Sequence, residues 1–434
     1  AITQSLAAQL HESGVVKSIY TLATDVPPTE ALPQYTHHLQ ARSLLSLATM
    51  RLIAATATAD YALFYLKQGP VTLGYHALER MLQVAEETEA AMVYADHYSV
   101  EAGKTVKHPV TDYQLGSIRD DFDFGSVVLL KTDYLKEFDA KKEIARDYLY
   151  AGWYALRLFL SRKGELFHLN EYLYTEEEDD LRASGEKQFD YVNPRNREVQ
   201  IEMEQAATAH LSAINALVDT TQYAQPDFSA ETFPVEASVV IPVFNREKTV
   251  RDAVVSALSQ KTNFPFNVIV VDNHSIDGTT EILSSLAADE RLVHLIPTRT
   301  DLGIGGCWNY AINDAHCGRF AVQLDSDDLY SSENTLQTIV DAFHEQKAAM
   351  IVGSYRMCDF ELNTLSPGLI SHNEWTEDNG CNNALRINGL GAPRAFFTPL
   401  VRQHQFPNTS YGEDYAMGLA FSRRFRIGRI YDEL

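Results

Sequence analysis

Three carboxylates follow directly on a short apolar stretch, and their spacing could hold a metal ion. Residues 320–324 predict a buried strand, and Asp325, Asp327 and Asp328 come at its end. Side chains of like charge repel one another and lose solvation there unless a cation lies among them. Oxygen ligands suit Mg²⁺ or Mn²⁺, and these ions usually keep coordination positions for the phosphates of a substrate. The sequence therefore predicts a metal and diphosphate site, with Asp325 and Asp327 as metal ligands.

The same aspartates have a simpler alternative role. Asp327 or Asp328 could cap a helix beginning near Ser332, because a carboxylate accepts hydrogen bonds from the free N–H groups of a helix start. Ligands bind at the carboxyl ends of the strands in a parallel sheet, however, and the three aspartates occupy such an end. We therefore favour the metal site over the cap.

Composition and charge narrow the classes of function. The 434 residues are enough for two or three domains, and the net charge of −23 argues against nucleic acid or an anionic membrane as the main partner. None of the four cysteines forms a Cys-x-x-Cys pair, so a zinc knuckle or a disulfide framework is not expected. The sequence has no apolar run long enough to cross a bilayer. We expect a protein of the cytosol, working there or at the inner face of the membrane.

Strands and helices alternate in both halves of the chain, which predicts an α/β fold with a mostly parallel sheet. The predicted strands are 61–66, 91–94, 238–242, 268–272, 293–296 and 320–324, and the predicted helices include 44–58, 75–88, 140–163, 195–218, 248–260 and 303–315. The pattern predicts domains at 1–180 and 236–434, joined by a helical linker at 181–235. Because the chain stops at Leu434 without a terminator signal, we expect the natural chain to continue.

An internal repeat relates the two halves. A shift of 258 positions places Leu66 on Leu324 and residues 90–93 on 348–351, without a gap between them. The chemistry is not repeated, because Lys67 stands where the second half has Asp325, and a protonated lysine cannot bind a metal ion. The first half is therefore predicted to be a copy of the fold without its metal site. Coincidence between two α/β segments is the alternative.

Four motifs in a fixed order resemble those of family 2 glycosyltransferases. They are the strand and turn at 238–247, the strand and turn at 270–279, the aspartate turn at 324–328 and the Glu-Asp pair at 411–415. The resemblance is strong over residues 236–434 and weak over 1–180. It implies the GT-A fold, a Rossmann-like sandwich around a mostly parallel sheet, here in two tandem copies of which the first is degenerate.

The resemblance also implies the residues of the site. Asp414 would take the proton from the acceptor hydroxyl, with Glu413 positioning the acceptor, and direct displacement would invert the anomeric centre. Mg²⁺ or Mn²⁺ on Asp325 and Asp327 would neutralise the departing nucleoside diphosphate. The donor-binding residues would be Pro242, Asn245, Glu247, Asp272, Asn273, Gly303, Asp325 and Ser326. The donor would be a nucleoside-diphosphate sugar, and the acceptor a glycan or a lipid-linked glycan.

Several of these assignments have alternatives. Asp272 could cap a turn, and Asp414 could occupy a helix start where carboxylates are common. Asn273 stands where the family often has aspartate, which leaves the base preference open. A sugar nucleotidyltransferase would need a basic, glycine-rich loop after the first strand, where this chain has residues 242–245. A non-catalytic sugar-nucleotide or glycan-binding scaffold is the remaining alternative.

Overall fold

A computed structural model of the protein describes residues 2–24, 33–67, 69–101, 103–141, 147–177, 197–373, 375–376, 379–387 and 389–434. The chain divides into two units. The first unit comprises Ala1–Leu217 with Leu385–Ile387, and the second comprises Val218–Ala384 with Asn388–Leu434. The predicted boundary between residues 180 and 181 lies outside the described residues.

The first unit contains six helices and eight strands among its described residues. The helices are α1 (Ile2–Glu12), α2 (Leu47–Thr56), α3 (Ala77–Thr88), α4 (Thr132–Lys141), α5 (Gly152–Leu160) and α6 (Arg197–Ala213). The strands are β1 (Ile19–Ala23), β2 (Thr36–Gln40), β3 (Tyr61–Tyr65), β4 (Val71–Leu73), β5 (Met92–Glu101), β6 (Lys104–His108), β7 (Val127–Lys131) and β8 (Leu166–Glu177). The helix predicted at 140–163 is thus wrong, since α4 ends at Lys141 and α5 begins at Gly152. The helix α6, predicted as part of a linker, packs Ala207 and Leu211 into the core of the first unit.

The main sheet of the first unit is mostly antiparallel, which corrects the prediction of a mostly parallel sheet there. Its order is β3-β7-β5-β8-β4, with β6 paired to β5. Among its described pairings, β5 with β8 is parallel and the others are antiparallel. The strands β3 and β5 do run in the same direction, as their crossover through α3 requires. The strand β7 lies between them and runs the opposite way, and the strand and helix alternation of the sequence does not reveal it.

The second unit contains seven helices and eight strands among its described residues. The helices are α7 (Val250–Leu258), α8 (Thr279–Leu286), α9 (Ile304–Ile312), α10 (Thr335–Gln346), α11 (Gly380–Asn383), α12 (Thr398–His404) and α13 (Glu413–Ser422). The strands are β9 (Ala237–Val243), β10 (Phe266–Asp272), β11 (Leu292–Leu295), β12 (Phe320–Gln323), β13 (Met350–Cys358), β14 (Thr364–Ile370), β15 (Arg394–Phe397) and β16 (Ile427–Glu433).

The sheet of the second unit brings the predicted motifs to one edge. Its order is β11-β10-β9-β12-β15-β13-β14, with β16 paired to β13. The first four strands are parallel, so their carboxyl ends meet on one side. Every residue of β10 is buried, because helices cover both faces of the sheet and the strand can be apolar throughout. The mixed α/β architecture agrees with the predicted fold class.

The two sheets share a run of four strands with the same order and the same directions. In the first unit this run is β3-β7-β5-β8, and in the second it is β12-β15-β13-β16. The pairings are antiparallel, antiparallel and parallel in both runs. The parallel pairing shifts register between Ala95 and His97 in one run, and between Val352 and Ser354 in the other. The two runs therefore also share the position of a register shift in their parallel pairing.

Candidate functional site

The turn after β12 carries the three predicted metal-site carboxylates. The Asp328 N–H donates to the Asp325 carbonyl at 3.1 Å, which closes the turn, and Ser326 is buried within it. The next helix, α10, begins at Thr335 after the capping residue Asn334, several residues beyond the aspartates. The alternative in which Asp327 or Asp328 caps this helix is therefore excluded.

The carboxylates of this turn interact unfavourably with one another. Burial raises the pKa of Asp328 to about 6, and the charges of Asp325 and Asp327 add to the shift. The nearest cation to Asp327 in the described residues is Arg246, whose Nε lies 3.7 Å from Oδ2 of the carboxylate. Both of these side chains are about half exposed, so the pair neutralises little of the charge. The turn therefore retains an unbalanced negative charge of the kind that attracts a cation.

A divalent ion fits this donor set only together with other oxygen ligands. Within the described part of the chain, no group of three or more His, Cys, Asp or Glu side chains could hold a metal ion. Mg²⁺ commonly binds to one or two carboxylates and completes its shell with water and substrate phosphates. Asp325 and Asp327 supply this minimum of two carboxylates.

The predicted acceptor-side carboxylates begin helix α13. Glu413 is 7% exposed, and its Oε2 atom has no hydrogen-bond partner among the described residues. Burial raises the pKa of Glu413, the charges of Asp414 and Asp325 raise it further, and Arg394 opposes the shift. Glu413 therefore interacts electrostatically with Asp325 in the turn after β12. The sequence-predicted residues Asp325, Glu413 and Asp414 therefore belong to one site.

A buried arginine joins the two groups of carboxylates. Arg394, the first residue of β15, forms an ion pair with Oδ2 of Asp414 and donates to Oε1 of Gln323 at 2.8 Å. The Nε2 group of Gln323 donates in turn to Oδ1 of Asp325 at 2.9 Å. Neither Gln323 nor Arg394 belongs to the four sequence motifs. Arg386, which precedes Arg394 in the chain, pairs with Asp120 inside the first unit.

The predicted donor-binding loops after β9 and β10 are hydrogen-bonded to each other. Oδ1 of Asn245 accepts from the N–H of Ile276 at 2.8 Å, and Oε2 of Glu247 accepts from the N–H of Gly278 at 3.1 Å. Asn245 adopts a positive φ of 52°, which asparagine tolerates better than most residues. In this arrangement both side chains hold the loops in place. Pro242 lies on β9, two residues before Phe244, which begins the loop and is 52% exposed.

Asp272 is part of the scaffold in this structure. It is fully buried, and its two oxygens accept from the Ser275 N–H at 3.0 Å and the Thr280 hydroxyl at 2.5 Å. Although burial alone would raise the pKa of Asp272, these hydrogen bonds lower it below its ordinary value. The geometry matches the turn-capping alternative and leaves no exposed carboxylate oxygen for a ribose or a base.

The neighbouring Asn273 retains a free acceptor. Its Nδ2 group donates to the Leu302 carbonyl at 2.9 Å, whereas its Oδ1 atom is buried without a hydrogen-bond partner among the described residues. An unpaired buried acceptor costs free energy unless a ligand or water supplies a donor. Of the two predicted residues at this strand end, Asn273 is therefore the better placed to accept from a ligand.

The glycines at the start of α9 permit close contact between chain segments. A Cβ atom on Gly303 would lie 2.7 Å from the Thr409 carbonyl oxygen, and one on Gly305 would lie 1.9 Å from that of Pro407. The N–H of Gly303 donates to Oδ1 of Asn408 at 2.8 Å. The segment before α13 makes this close approach, and the donor contact predicted for Gly303 stays a prediction.

In the first unit, Lys67 stands where the second unit has Asp325, and it has an ion-pair partner within the unit. Lys67 forms an ion pair with the buried Glu176, which also lies 3.1 Å from Nε2 of His97. Burial raises the pKa of Glu176, but the hydrogen bonds from His97 and Lys67 prevail and lower it to about 2. Helix α5, the counterpart of α13 in chain order, begins with Gly152 in place of a carboxylate. In the first unit, Lys67 and Glu176 thus neutralise each other.

The carboxylate of Glu202 binds the backbone that precedes helix α5 in the first unit. It accepts from the backbone N–H groups of Leu149, Tyr150 and Ala151 at 3.0, 2.7 and 3.1 Å. We expect Glu202→Ala to lower the free energy of unfolding by about 1–3 kcal/mol, because buried donors lose their partner. Urea denaturation followed by circular dichroism measures it, with Glu198→Ala on the exposed face of α6 as control. Equal stability of both variants would contradict this role.

Part of this site, including Asp325 and Arg394, lies in a segment that is similar to known proteins. Residues 238–399 match the family model described as Glycosyl transferase family 2. Among curated proteins, the chain is 25% identical over 255 residues to an uncharacterised glycosyltransferase of Rickettsia bellii, covering 56% of this chain and 35% of that protein. It is 26% identical over 188 residues to the putative teichuronic acid biosynthesis glycosyltransferase TuaG of Bacillus subtilis, covering 43% of this chain and 72% of that protein.

Two further similar proteins are a curated rhamnosyltransferase and a solved structure. The O-antigen chain rhamnosyltransferase WbaN of Salmonella anatum is 25% identical over 116 residues, covering 27% of this chain and 36% of that protein. The solved structure of TarS residues 1–349 from S. aureus aligns with 22% identity over 46% of this chain and 58% of that chain, and its TM-score of 0.38 does not establish a shared overall fold. The alignments span only about a third to a half of the length of the first relatives. Residues 238–399 are thus similar to family 2 glycosyltransferases. Within the described residues, no helix has the length and apolarity to cross a membrane.

Proposed function

We propose that residues 236–434 form a metal-dependent, inverting glycosyltransferase domain. It moves one sugar from a nucleoside-diphosphate sugar to a growing glycan or a lipid-linked glycan. The main support is the hydrogen-bonded link from Asp325 through Gln323 and Arg394 to Asp414. Asp325 and Arg394 lie within residues 238–399, which match the family, and Asp414 follows that segment in the same unit. The names of TuaG and WbaN, which refer to teichuronic acid and O-antigen, favour a bacterial surface polysaccharide as the acceptor class.

Each part of the site has a separate task in this proposal. Asp325 and Asp327 hold a divalent ion that, when bound, neutralises charge on the departing diphosphate. The unpaired Oδ1 of Asn273 accepts from the base, and Asn245 and Glu247 keep the two donor loops together. Asp414 accepts the proton of the attacking hydroxyl while the bond to the diphosphate breaks, which inverts the anomeric carbon.

The first unit is, in this proposal, a degenerate copy of the carboxyl-terminal half of the same fold. The support is the shared four-strand run with its register shift at the corresponding place. The Lys67–Glu176 ion pair and Gly152 replace the carboxylates that the second unit uses. A unit of this kind has no turnover of its own and is available to bind an acceptor or a partner protein.

A panel of donors tests the proposed activity. The full chain is incubated with Mn²⁺ and nucleoside-diphosphate sugars carrying uracil, guanine, thymine or adenine, and release of the nucleoside diphosphate is measured with and without oligosaccharide acceptors. The proposal expects release that depends on Mn²⁺ and on one preferred base. Binding of a donor by calorimetry, with no release on any acceptor, would instead favour the non-catalytic scaffold.

The pKa of Asp328 predicts how metal affinity depends on pH. Because burial and neighbouring charges raise the pKa of Asp328 to about 6, the carboxyl is mostly ionised at pH 7 and mostly protonated at pH 5. Protonation relieves repulsion, so the metal-free fold gains stability as the pH falls through 6, whereas Mn²⁺ loses affinity. We expect about tenfold weaker Mn²⁺ binding at pH 5 than at pH 7, measured by paramagnetic resonance. Asp328→Asn should remove most of this dependence, and an unchanged pH dependence in that variant would contradict the assignment.

A further inference from the structure

A buried polar pair connects the two ends of the catalytic site, although it touches neither the donor nor the acceptor in the proposed mechanism. Gln323 ends β12 and Arg394 begins β15, and both are less than one-tenth exposed. Val322 pairs with Ala395 across these antiparallel strands, so Gln323 and Arg394 occupy the next pair of positions. Their side chains meet through the 2.8 Å hydrogen bond from Nη1 of Arg394 to Oε1 of Gln323.

The hydrogen bonds leave each group of this pair little freedom. Arg394 directs its three nitrogens to three acceptors: Nε to the Leu390 carbonyl at 2.7 Å, Nη1 to Gln323 and Nη2 to Asp414. Because Oε1 of Gln323 accepts from Arg394, its Nε2 group must face the other way, toward Oδ1 of Asp325. The orientation of the Gln323 amide is thus set by Arg394, and it fixes the direction of the Asp325 carboxylate in turn.

The corresponding pair in the first unit is apolar or aromatic. Tyr65 pairs with Val127 at the equivalent position of β3 and β7. The strand ends beside that pair carry Lys67 and, at the start of α5, Gly152 in place of Asp325 and Glu413. An apolar pair therefore fits this position of the sheet, and a buried arginine there costs desolvation. The polar pair occurs in the unit that keeps the carboxylates.

We propose that Arg394 and Gln323 are positioning residues that fix Asp414 and Asp325 relative to each other. The inference rests on the proposed function, because it assigns Asp325 to the donor side and Asp414 to the acceptor side. Neither residue moves a proton or binds a substrate. Their effect is to hold the acceptor-side base and the metal-side carboxylate in one hydrogen-bonded frame, so that a change at one end alters the geometry at the other.

Gln323→Met tests the pair with the least disturbance of packing. Methionine has a similar length and shape but offers no amide group. We expect Mn²⁺ binding, measured by paramagnetic resonance on the full chain without donor, to weaken two- to tenfold, as for loss of one hydrogen bond. We also expect the turnover number with the best donor of the panel to fall about tenfold, while the KM for donor at saturating Mn²⁺ changes less than threefold.

A matched control and a double variant separate positioning from general damage. Arg319 lies beside the other end of β12 and pairs with Glu236 at 3.0 Å, so Arg319→Met removes a comparable arginine–carboxylate pair away from the site. This control should keep Mn²⁺ affinity within twofold of wild type. In the Asp325→Asn background, Gln323→Met should lower turnover less than threefold further, because the carboxylate that Gln323 positions has lost its function.

Three results would overturn the inference. The first is an Mn²⁺ affinity of Gln323→Met within twofold of wild type. The second is a loss of Mn²⁺ affinity in Arg319→Met equal to that in Gln323→Met. The third is a double variant whose loss of turnover equals the product of the losses in the two single variants. Arg394→Lys, which keeps the charge but cannot reach three acceptors at once, should lower turnover at least tenfold. If wild type itself shows no turnover on the donor panel, the proposed function fails, whereas the Mn²⁺ titrations of Gln323→Met and Arg319→Met still decide whether Gln323 orients Asp325.

Discussion

We expect Asp414→Asn to lower the turnover number for sugar transfer by about 10²–10⁴-fold, because the proposed general base is lost. Asparagine keeps the size of the side chain and can still accept a hydrogen bond from Arg394, but it cannot take a proton from the acceptor hydroxyl. The measurement is release of nucleoside diphosphate from the preferred donor at saturating concentration, with oligosaccharide acceptors present. Affinity for the nucleoside diphosphate, measured by calorimetry, should stay within threefold of wild type, because Asp414 does not contact the donor in this account.

The control for Asp414 is another aspartate of the second unit. Asp341 lies on the exposed face of α10, and Asp341→Asn should leave both turnover and nucleotide affinity unchanged. Turnover of Asp414→Asn within threefold of wild type would mean that Asp414 only stabilises the start of α13, as carboxylates commonly do at helix starts. The Glu413→Gln variant would then be the next candidate, because Glu413 has a buried oxygen without a partner.

We expect the double variant Asp325→Asn, Asp327→Asn to lose metal-dependent turnover. The expected fall is about 10²–10³-fold, which corresponds to several kcal/mol of lost charge stabilisation. Removing both charges also relieves the repulsion on Asp328 and removes the smaller part of its pKa shift, whereas the larger part, which comes from burial, remains. We therefore expect the metal-free variant to be at least as stable to heat as wild type at pH 7. Added Mn²⁺ should stabilise wild type and leave the double variant unchanged.

Thermal denaturation with and without Mn²⁺ separates this prediction from simple misfolding. A double variant that melts far below wild type without metal would mean that the two carboxylates stabilise the fold. Turnover that survives in a well-folded double variant would exclude the metal role of Asp325 and Asp327. Asp341→Asn again serves as control, since it removes an exposed charge of the same kind outside the motif.

The sequence predicts a site at the carboxyl ends of the parallel strands, because this inference requires only that the strands are located correctly in the sequence. Runs of β-branched residues such as 268–271 are recognisable as buried strands, and the residues after parallel strands must meet at one edge. Asp325 lies at such a strand end, after β12. The sequence does not show that the Ser275 N–H and the Thr280 hydroxyl use both oxygens of Asp272, and the donor-binding role of Asp272 stays a prediction.

The antiparallel strands explain what the sequence could not predict. The strands β7 and β15 are short, and each inserts between two strands that are consecutive neighbours in the α/β alternation. Their positions depend on long-range pairing, which no local pattern encodes. For this reason the first sheet was expected to be parallel, and the contact between Gln323 and Arg394, which are 71 residues apart, was not foreseen.

The most direct test of the account is calorimetric titration of the full chain with the nucleoside diphosphate of the preferred donor, with Mn²⁺ and with a chelator. The account predicts binding that strengthens at least tenfold when Mn²⁺ is present, and loss of this gain in the Asp325→Asn, Asp327→Asn variant. Equal affinity with Mn²⁺ and with chelator, or a gain that persists in the double variant, would contradict the claim that this acidic turn binds a metal ion and a diphosphate together.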